Sequence, residues 1–260
     1  MALLDVVAAE PRGLTLTEAA RRAALHKATA LRLLGSLQRA QLVVHDPASG
    51  LYRPGLKLVW MAEQLLQALD FRTVVHGRVK ALAQALGQGV LAGVLEGAEV
   101  VYVDHVQGSE GLRVHRQVGG RRSVHLSAIG RAILAHLPAG EAERVLAGYR
   151  FEQRTPHTIV DRQAFLAYLE AVRRQGWALL RDEDSLGVTS FGAPVFDHTR
   201  RVVGAVGVTG PSLLLQGATL DQAVHRLLEA CRGASAELGY TGTLPVGAAE
   251  DTSRISSIGT

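Results

Sequence analysis

The chain has 260 residues, 47% of them apolar and 20% charged, with a net charge of +4, a length and composition that suit two domains with ample core. Its one cysteine, Cys231, excludes an internal disulfide and a cysteine-ligated metal cluster. No stretch reaches the ~18 uncharged apolar residues that a membrane helix needs.

Residues 2–10 read as a helix, ended by Pro11-Arg12-Gly13. This N-terminus carries Asp5 and Glu10 and lacks a basic start, so it makes a poor signal peptide, and a cytoplasmic protein is the expectation. Two short helices follow, joined by the turn Ala24-Leu25-His26. Thr15 or Thr17 can cap the first, because a hydroxyl there accepts an orphan backbone amide. Leu16, Ala19, Ala20 and Ala23 share one face of it, and Ala30, Leu33, Leu34 and Leu37 share one face of the second. Leu42-Val43-Val44, a turn over Asp46–Gly50, and Leu51-Tyr52-Arg53 then read as a hairpin. Helix, turn, helix and β-wing is a shape that fits a helix into the DNA major groove.

Charge points the same way. Residues 1–60 hold eight cations (Arg12, Arg21, Arg22, Lys27, Arg32, Arg39, Arg53, Lys57) against four acids, so the whole excess sits with this motif. Phosphate neutralisation needs such a local surplus. A solvated helical face would carry the Arg21-Arg22 doublet equally well.

A helical pattern with an apolar stripe (Leu58, Met61, Ala62, Leu65, Leu66, Leu69) runs over residues 56–69. It is too apolar for a free linker and should pack on the same helix of a second subunit. Residues 72–86 give another helix. Val90–Leu95, Val100–Val106 and Leu112–Val118 read as strands, then residues 127–137, 141–147 and 162–175 as helices. Trp177–Arg181, Ser190–Phe196 and Val202–Thr209 are strands, residues 219–238 a last helix, and the Gly/Ser/Thr-rich segment from Thr241 a loose tail. The second half is thus an α+β module, a mixed sheet built of hairpins with helices on its faces.

Catalytic signatures are thin. Val188–Gly192 lacks the first glycine of a nucleophile elbow. Gly87–Gly93 is out of register with a dinucleotide fingerprint and precedes a strand. Cys231 sits in an apolar helical context and reads as a packing residue. His105, His115 and His125 could converge on a metal, but their spacing is none of the compact ligand patterns. Asp182-Glu183-Asp184 reads as a solvated acidic loop. Residues 124–131 open a helix with Ser127 at its N-cap. The amides of Ala128, Ile129 and Gly130 would point outward with the positive helix end, able to meet an anion, and Ser190 and Thr209 present hydroxyls nearby. Two readings stand: a binding pocket, or a cap and sheet glycines that serve packing alone.

These residues carry a resemblance. Lys27-x-Thr29-x-x-Arg32-Leu33-Leu34-x-x-Leu37 followed by Tyr52-Arg53-x-Gly55 resembles the DNA-binding module of IclR-type bacterial transcriptional regulators. His125-x-Ser127-Ala128-x-Gly130-Arg131-Ala132, Gly176-Trp177-Ala178, Leu186-Gly187-Val188, Ala193–Asp197 and Val206-x-Val208-Thr209-Gly210-Pro211 are similar, in order and spacing, to that family's effector-domain signature. The likeness spans residues 2–240. It implies a winged helix-turn-helix (1–56), a linker helix (57–70) and a GAF-like effector-binding domain (71–240), with the loose tail (241–260) beyond the likeness. It implies a dimer or tetramer on a pseudo-palindromic double-stranded DNA operator, a small organic acid as effector, and no catalysis, cofactor, metal or membrane. DNA contacts carry over to Lys27, Ala28, Thr29, Leu31, Arg32 and the wing's Arg53. Effector contacts carry over to Ala128, Ile129, Ser190, Gly207 and Thr209.

The sequence departs from the family at several points. His26 replaces a usual proline, and Ala28 and Leu31 replace polar residues of the recognition helix, which favours apolar contacts such as thymine methyls. Leu180 replaces an acid and Gly207 a hydroxyl, which removes two polar anchors and predicts a bulkier or more apolar effector with its anionic end at Ala128-Ile129. The competing classes are an enzyme that uses the winged helix only to dimerise, and a regulator whose second domain only oligomerises.

Overall fold

A computed structural model describes residues 2–67, 70–109, 117–138 and 140–242. The chain divides between residues 68 and 69 into two compact units. The first contains α1 (Ala2–Ala8), β1 (Leu14–Thr15), α2 (Leu16–Arg22), α3 (Lys27–Arg39), β2 (Val43–Asp46), β3 (Leu51–Pro54) and α4 (Lys57–Gln67).

Of the two threonines, Thr15 is the cap of α2. Its hydroxyl oxygen accepts from the Glu18 amide at 3.3 Å, and the Glu18 carboxylate accepts from the Thr15 amide at 3.0 Å. This reciprocal box satisfies two orphan donors at once. Leu3, Val7, Leu14, Ala19, Ala20, Ala30, Leu34, Val43 and Tyr52 form the core of the unit. Alanines on the facing sides of α2 and α3 let the two helices approach closely. The expected stripe on α3 is narrower than the sequence pattern: Ala30 and Leu34 are buried and Leu37 packs at the edge, whereas Leu33 is 39% exposed. One apolar stripe of a helix is filled by three of those four positions, and the fourth turns outward.

The wing is β2 paired with β3, with His45 opposite Tyr52. Asp46 organises its turn by accepting from the Ala48 amide at 3.0 Å and the Ser49 hydroxyl at 2.5 Å, and Gly50 supplies the left-handed residue at φ +67°. β1 adds to the far side of β3, giving the order β1-β3-β2. Two residues carry no readable period, so this strand has no sequence signal.

The second unit contains α5 (Asp70–Leu86), β4 (Gly89–Glu96), β5 (Glu99–Val106), β6 (Arg121–Ser123), α6 (Ala128–His136), α7 (Glu141–Val145), α8 (Arg162–Gln175), β7 (Ala178–Arg181), β8 (Val188–Phe196), β9 (Val202–Pro211) and α9 (Gly217–Glu237). Its sheet runs β6-β5-β4-β9-β8-β7. Every pairing among the described residues is antiparallel, so the sheet is not the mixed one expected: its neighbours β4–β5, β7–β8 and β8–β9 are consecutive strands that reverse direction through short connections. α6 lies on one face with α8 packed on it, while α5 and α9 pack on each other and on the opposite face. The α6 side carries the main core, from Leu91, Val100 and Tyr102 on the strands to Phe165, Tyr168 and Leu169 on α8.

The predicted strand Leu112–Val118 falls mostly outside the described residues. Val118 itself lies in a turn, and the strand that flanks β5 on the side away from β4 is β6. His115, the side chains of Leu65, Leu66 and Leu69, and residues 243–260 also lie outside the described residues.

Candidate functional site

In the second unit, α6 points its first turn at the sheet. Ser127 is its N-cap, and the hydroxyl accepts from the Gly130 amide at 3.2 Å. No acidic side chain stands in that first turn, so the positive helix end keeps its field. Glycine lets the strands come this close. A Cβ on Gly192 would stand 2.8 Å from the Ala128 carbonyl carbon and 3.0 Å from the Ile129 nitrogen, and one on Gly130 would stand 2.7 Å from Val124 backbone.

Ser190 and Thr209 are cross-strand partners, as are Gly192 and Gly207. The Ser190 hydroxyl donates to Thr209 Oγ1 at 2.9 Å. Ala128, Ile129, Ser190, Gly207 and Thr209 together line one cavity of about 30 Å³, closed further by Leu91, Tyr102, Leu126 and Ser127. That volume holds about one water. The five residues named from the sequence are therefore brought together. Leu91, Tyr102 and Leu126 are not legible there, because they are ordinary apolar residues of strands and a short turn. The two departures fall at the same place: Leu180 is buried opposite Ser190, and Gly207 sits opposite Gly192.

The acidic triplet is not solvated, contrary to expectation. Asp182 adopts φ +59° and accepts from the Gly187 amide at 2.7 Å and the Ser212 hydroxyl at 2.9 Å. Asp184 binds Arg122. Glu183 is buried and takes both terminal nitrogens of fully buried Arg131, at 3.0 and 2.5 Å. Arg131 also donates its Nε to the His125 carbonyl at 2.8 Å and lies 4.9 Å from the Tyr168 ring centroid. Burial alone would weaken its charge; Glu183 beside it outweighs that and raises its pKa. The triplet therefore braces the loop under α6.

His125 is fully buried as well. Its Nε2 faces the Glu152 carbonyl at 3.0 Å and must donate, so Nδ1 accepts from the Tyr149 hydroxyl at 2.5 Å. Both ring nitrogens are thus engaged, and burial lowers its pKa. No group of metal ligands occurs among the described residues. Cys231 packs in the core as expected, its thiol pushed up to about 12 by burial.

In the first unit, Lys27, Ala28, Leu31 and Arg32 of α3 are exposed and Thr29 is half-buried. Leu31 is 51% exposed and Arg32 follows it on the same solvent face. Among the described residues, neither Lys27 nor Arg32 makes an ion pair, whereas Arg22 lies 3.5 Å from Glu10. Arg53 is exposed but held: its Nε donates to the Arg12 carbonyl at 3.2 Å, and Asp46 stands 3.9 Å away. His26 caps α3 without a side-chain hydrogen bond. Leu56, Val59, Trp60 and Met61, at the start of α4, are exposed.

Residues 63–236 match the family model described as "Bacterial transcriptional regulator IclR C-terminal", and residues 1–47 match the IclR helix-turn-helix domain. The chain belongs to the IclR family. It is similar to the HTH-type transcriptional regulator XynR of Escherichia coli, 31% identical over 92% of this chain and 94% of that one. It is 35% identical to the glycerol operon regulatory protein of Streptomyces griseus, again over 92% and 94%. Among solved structures, an IclR homologue from Microbacterium hydrocarbonoxydans, complexed with 4-hydroxybenzoate, superposes with a TM-score of 0.81 at 25% identity, covering 91% of this chain and 96% of that one. As an IclR-family member this chain is a DNA-binding transcriptional regulator that responds to a small-molecule effector, and not an enzyme. No helix among the described residues is long and apolar enough to cross a membrane.

Proposed function

We propose that this IclR-family regulator binds a pseudo-palindromic operator as a homodimer in the cytoplasm, and that an apolar organic monocarboxylate sets its operator affinity. In this reading residues 1–56 bind DNA, 57–70 connect, and 71–240 sense the effector. The carboxylate sits on the amides of Ala128 and Ile129, with Ser190 and Thr209 as hydroxyl partners and the Gly207 backbone beside them. The observation that carries the reading is the convergence of these five positions, far apart in sequence, on one cavity. Two backbone amides at an uncompensated helix N-terminus suit an anion, and Leu91 and Leu126 in the same lining suit an apolar body. The relative solved with 4-hydroxybenzoate, a flat monocarboxylate, supports the same ligand class.

Lys27, Ala28, Thr29, Leu31, Arg32 and Arg53 form the proposed DNA surface. Unpaired Lys27 and Arg32 are available to phosphates or base edges, while exposed Leu31 and Ala28 suit thymine methyls. The exposed Val59, Trp60 and Met61 are the proposed subunit contact, since an apolar patch of that kind is a usual mark of an interface. A thermal-shift panel of organic acids tests the effector reading. Flat apolar monocarboxylates should raise the unfolding midpoint, and stabilisation by small hydrophilic acids alone would overturn it.

A further inference from the structure

A second cavity lies at the other end of α6. Its walls are Val94 and Leu95 of β4, Ile133 of α6 with the C-cap Leu137, and Val202 and Val203 of β9. It encloses about 210 Å³, against about 30 Å³ for the cavity at the α6 N-terminus. Ile133 and Leu137 follow Ile129 at four-residue intervals, so one stripe of the helix faces both cavities. The helix rises about 12 Å over that stretch, which keeps the two places apart. Ile133 and Leu137 close the inner end, while the four strand residues are half-buried. All six are aliphatic, unlike the first cavity, where Tyr102 and Phe191 contribute rings.

The polar groups of this cavity stand at its exposed edge. Arg201 lies 3.7 Å from Glu141, too far for a hydrogen bond, and among the described residues its guanidinium makes none. Its backbone is fixed: the amide donates to the Asp197 carboxylate at 3.1 Å, and the carbonyl accepts from the Asp197 amide at 3.0 Å. The Asp197 carboxylate also takes the Thr199 amide and hydroxyl, so that acid is spent within its own turn. Exposed Arg200 adds a second cation to the same turn. We infer that this cavity binds an aliphatic monocarboxylate of medium chain length, its chain between β4, β9 and α6 and its carboxylate on Arg201. The volume admits about seven water-sized groups at ~30 Å³ each, the size of a short fatty-acid chain. A guanidinium takes a carboxylate through two parallel hydrogen bonds, which the loose Glu141 contact leaves open. Burying the chain against half-exposed aliphatic walls favours binding. The site uses neither the amides of Ala128 and Ile129 nor the hydroxyls of Ser190 and Thr209, so it does not depend on the effector reading.

Isoleucine side chains report the two cavities separately, since Ile129 lines one and Ile133 the other. The full chain with isotope-labelled isoleucine methyl groups is titrated with hexanoate and followed by NMR. The Ile133 methyl should shift saturably while the Ile129 methyl stays in place. The dissociation constant should fall about fourfold for each methylene from butyrate to hexanoate. Arg201→Gln, a change at an exposed side chain, should weaken hexanoate about fivefold or more and leave hexanol unaffected. A Ser190→Ala/Thr209→Val variant should bind hexanoate like wild type. A shift at Ile129 alone, lost in that variant, would overturn the inference while supporting the effector cavity. No Ile133 shift with any of these acids would overturn it and leave the effector reading untouched. An Ile133 shift that follows protein concentration and not acid would give the cavity to a second copy of the chain. One that appears only after residues 243–260 are removed would give it to that segment. Either result overturns the inference.

Discussion

Arg131 brings a full charge into the interior of the second unit, and its surroundings explain why that is tolerated. A buried guanidinium is stable only when its donors are satisfied and its charge is matched. Glu183 supplies both, with the His125 carbonyl and the Tyr168 ring completing the shell. Glu183→Gln keeps the shape but strands the charge. It should destabilise the unit by about 3–5 kcal/mol, measured by denaturant unfolding; a loss within about 1 kcal/mol would remove the pair from the core of the account. His125 and half-buried His136 add a pH signature. Burial lowers the pKa of His125 and of His136 below the usual value of about 6.5. The folded state then binds fewer protons than the unfolded chain once the pH falls below about 6.5, so stability is full above that point and declines beneath it. Unfolding midpoints should be flat from about pH 8 to 7 and fall between about pH 6.5 and 5, with His125→Gln flattening part of the slope. None of this was legible from residue types. Arg131 and Glu183 are 52 residues apart, and three adjacent acids with no visible partner read as a surface loop.

Elements were far more readable than these partners. Period and punctuation located helices such as α8 and α9 and hairpins such as β8–β9, because runs of that length sum many weak preferences. The capping box at Thr15 follows from one hydroxyl three residues before one carboxylate. Short elements escaped: β1 has two residues and β6 three, too few for any pattern. On α3 the helix was legible, but which of Leu33 and Leu34 turns inward was not, since both fit an apolar stripe. The exposed face that results is the proposed DNA surface. Arg32→Ala should weaken operator binding by about 1–3 kcal/mol, or roughly five- to 150-fold. A titration at fixed salt against operator and scrambled DNA separates its role: loss on operator alone marks base reading, and equal loss on both marks a phosphate contact. Unchanged affinity on both would take Arg32 out of the surface.

Across the whole molecule, charge and chemistry are segregated. The net +4 resides in residues 1–60, while the cavity that suits an acid lies in the unit beginning after residue 68. This division was visible in the sequence because composition shifts between the halves. The cavity's walls were visible only in part, since the glycines and hydroxyls lie in motifs and the apolar walls do not. A regulator built this way must transmit occupancy of one unit to the DNA affinity of the other, which requires the acid to favour one arrangement of the dimer over another. The most direct measurement is fluorescence-anisotropy titration of the full chain onto DNA from its own upstream region, at constant salt, with and without an acid that stabilises the protein. The account predicts an operator affinity changed about fivefold or more by that acid, and no change in a Ser190→Ala/Thr209→Val variant at the same acid concentration. An acid that binds wild type by calorimetry yet leaves its operator affinity untouched would contradict the account.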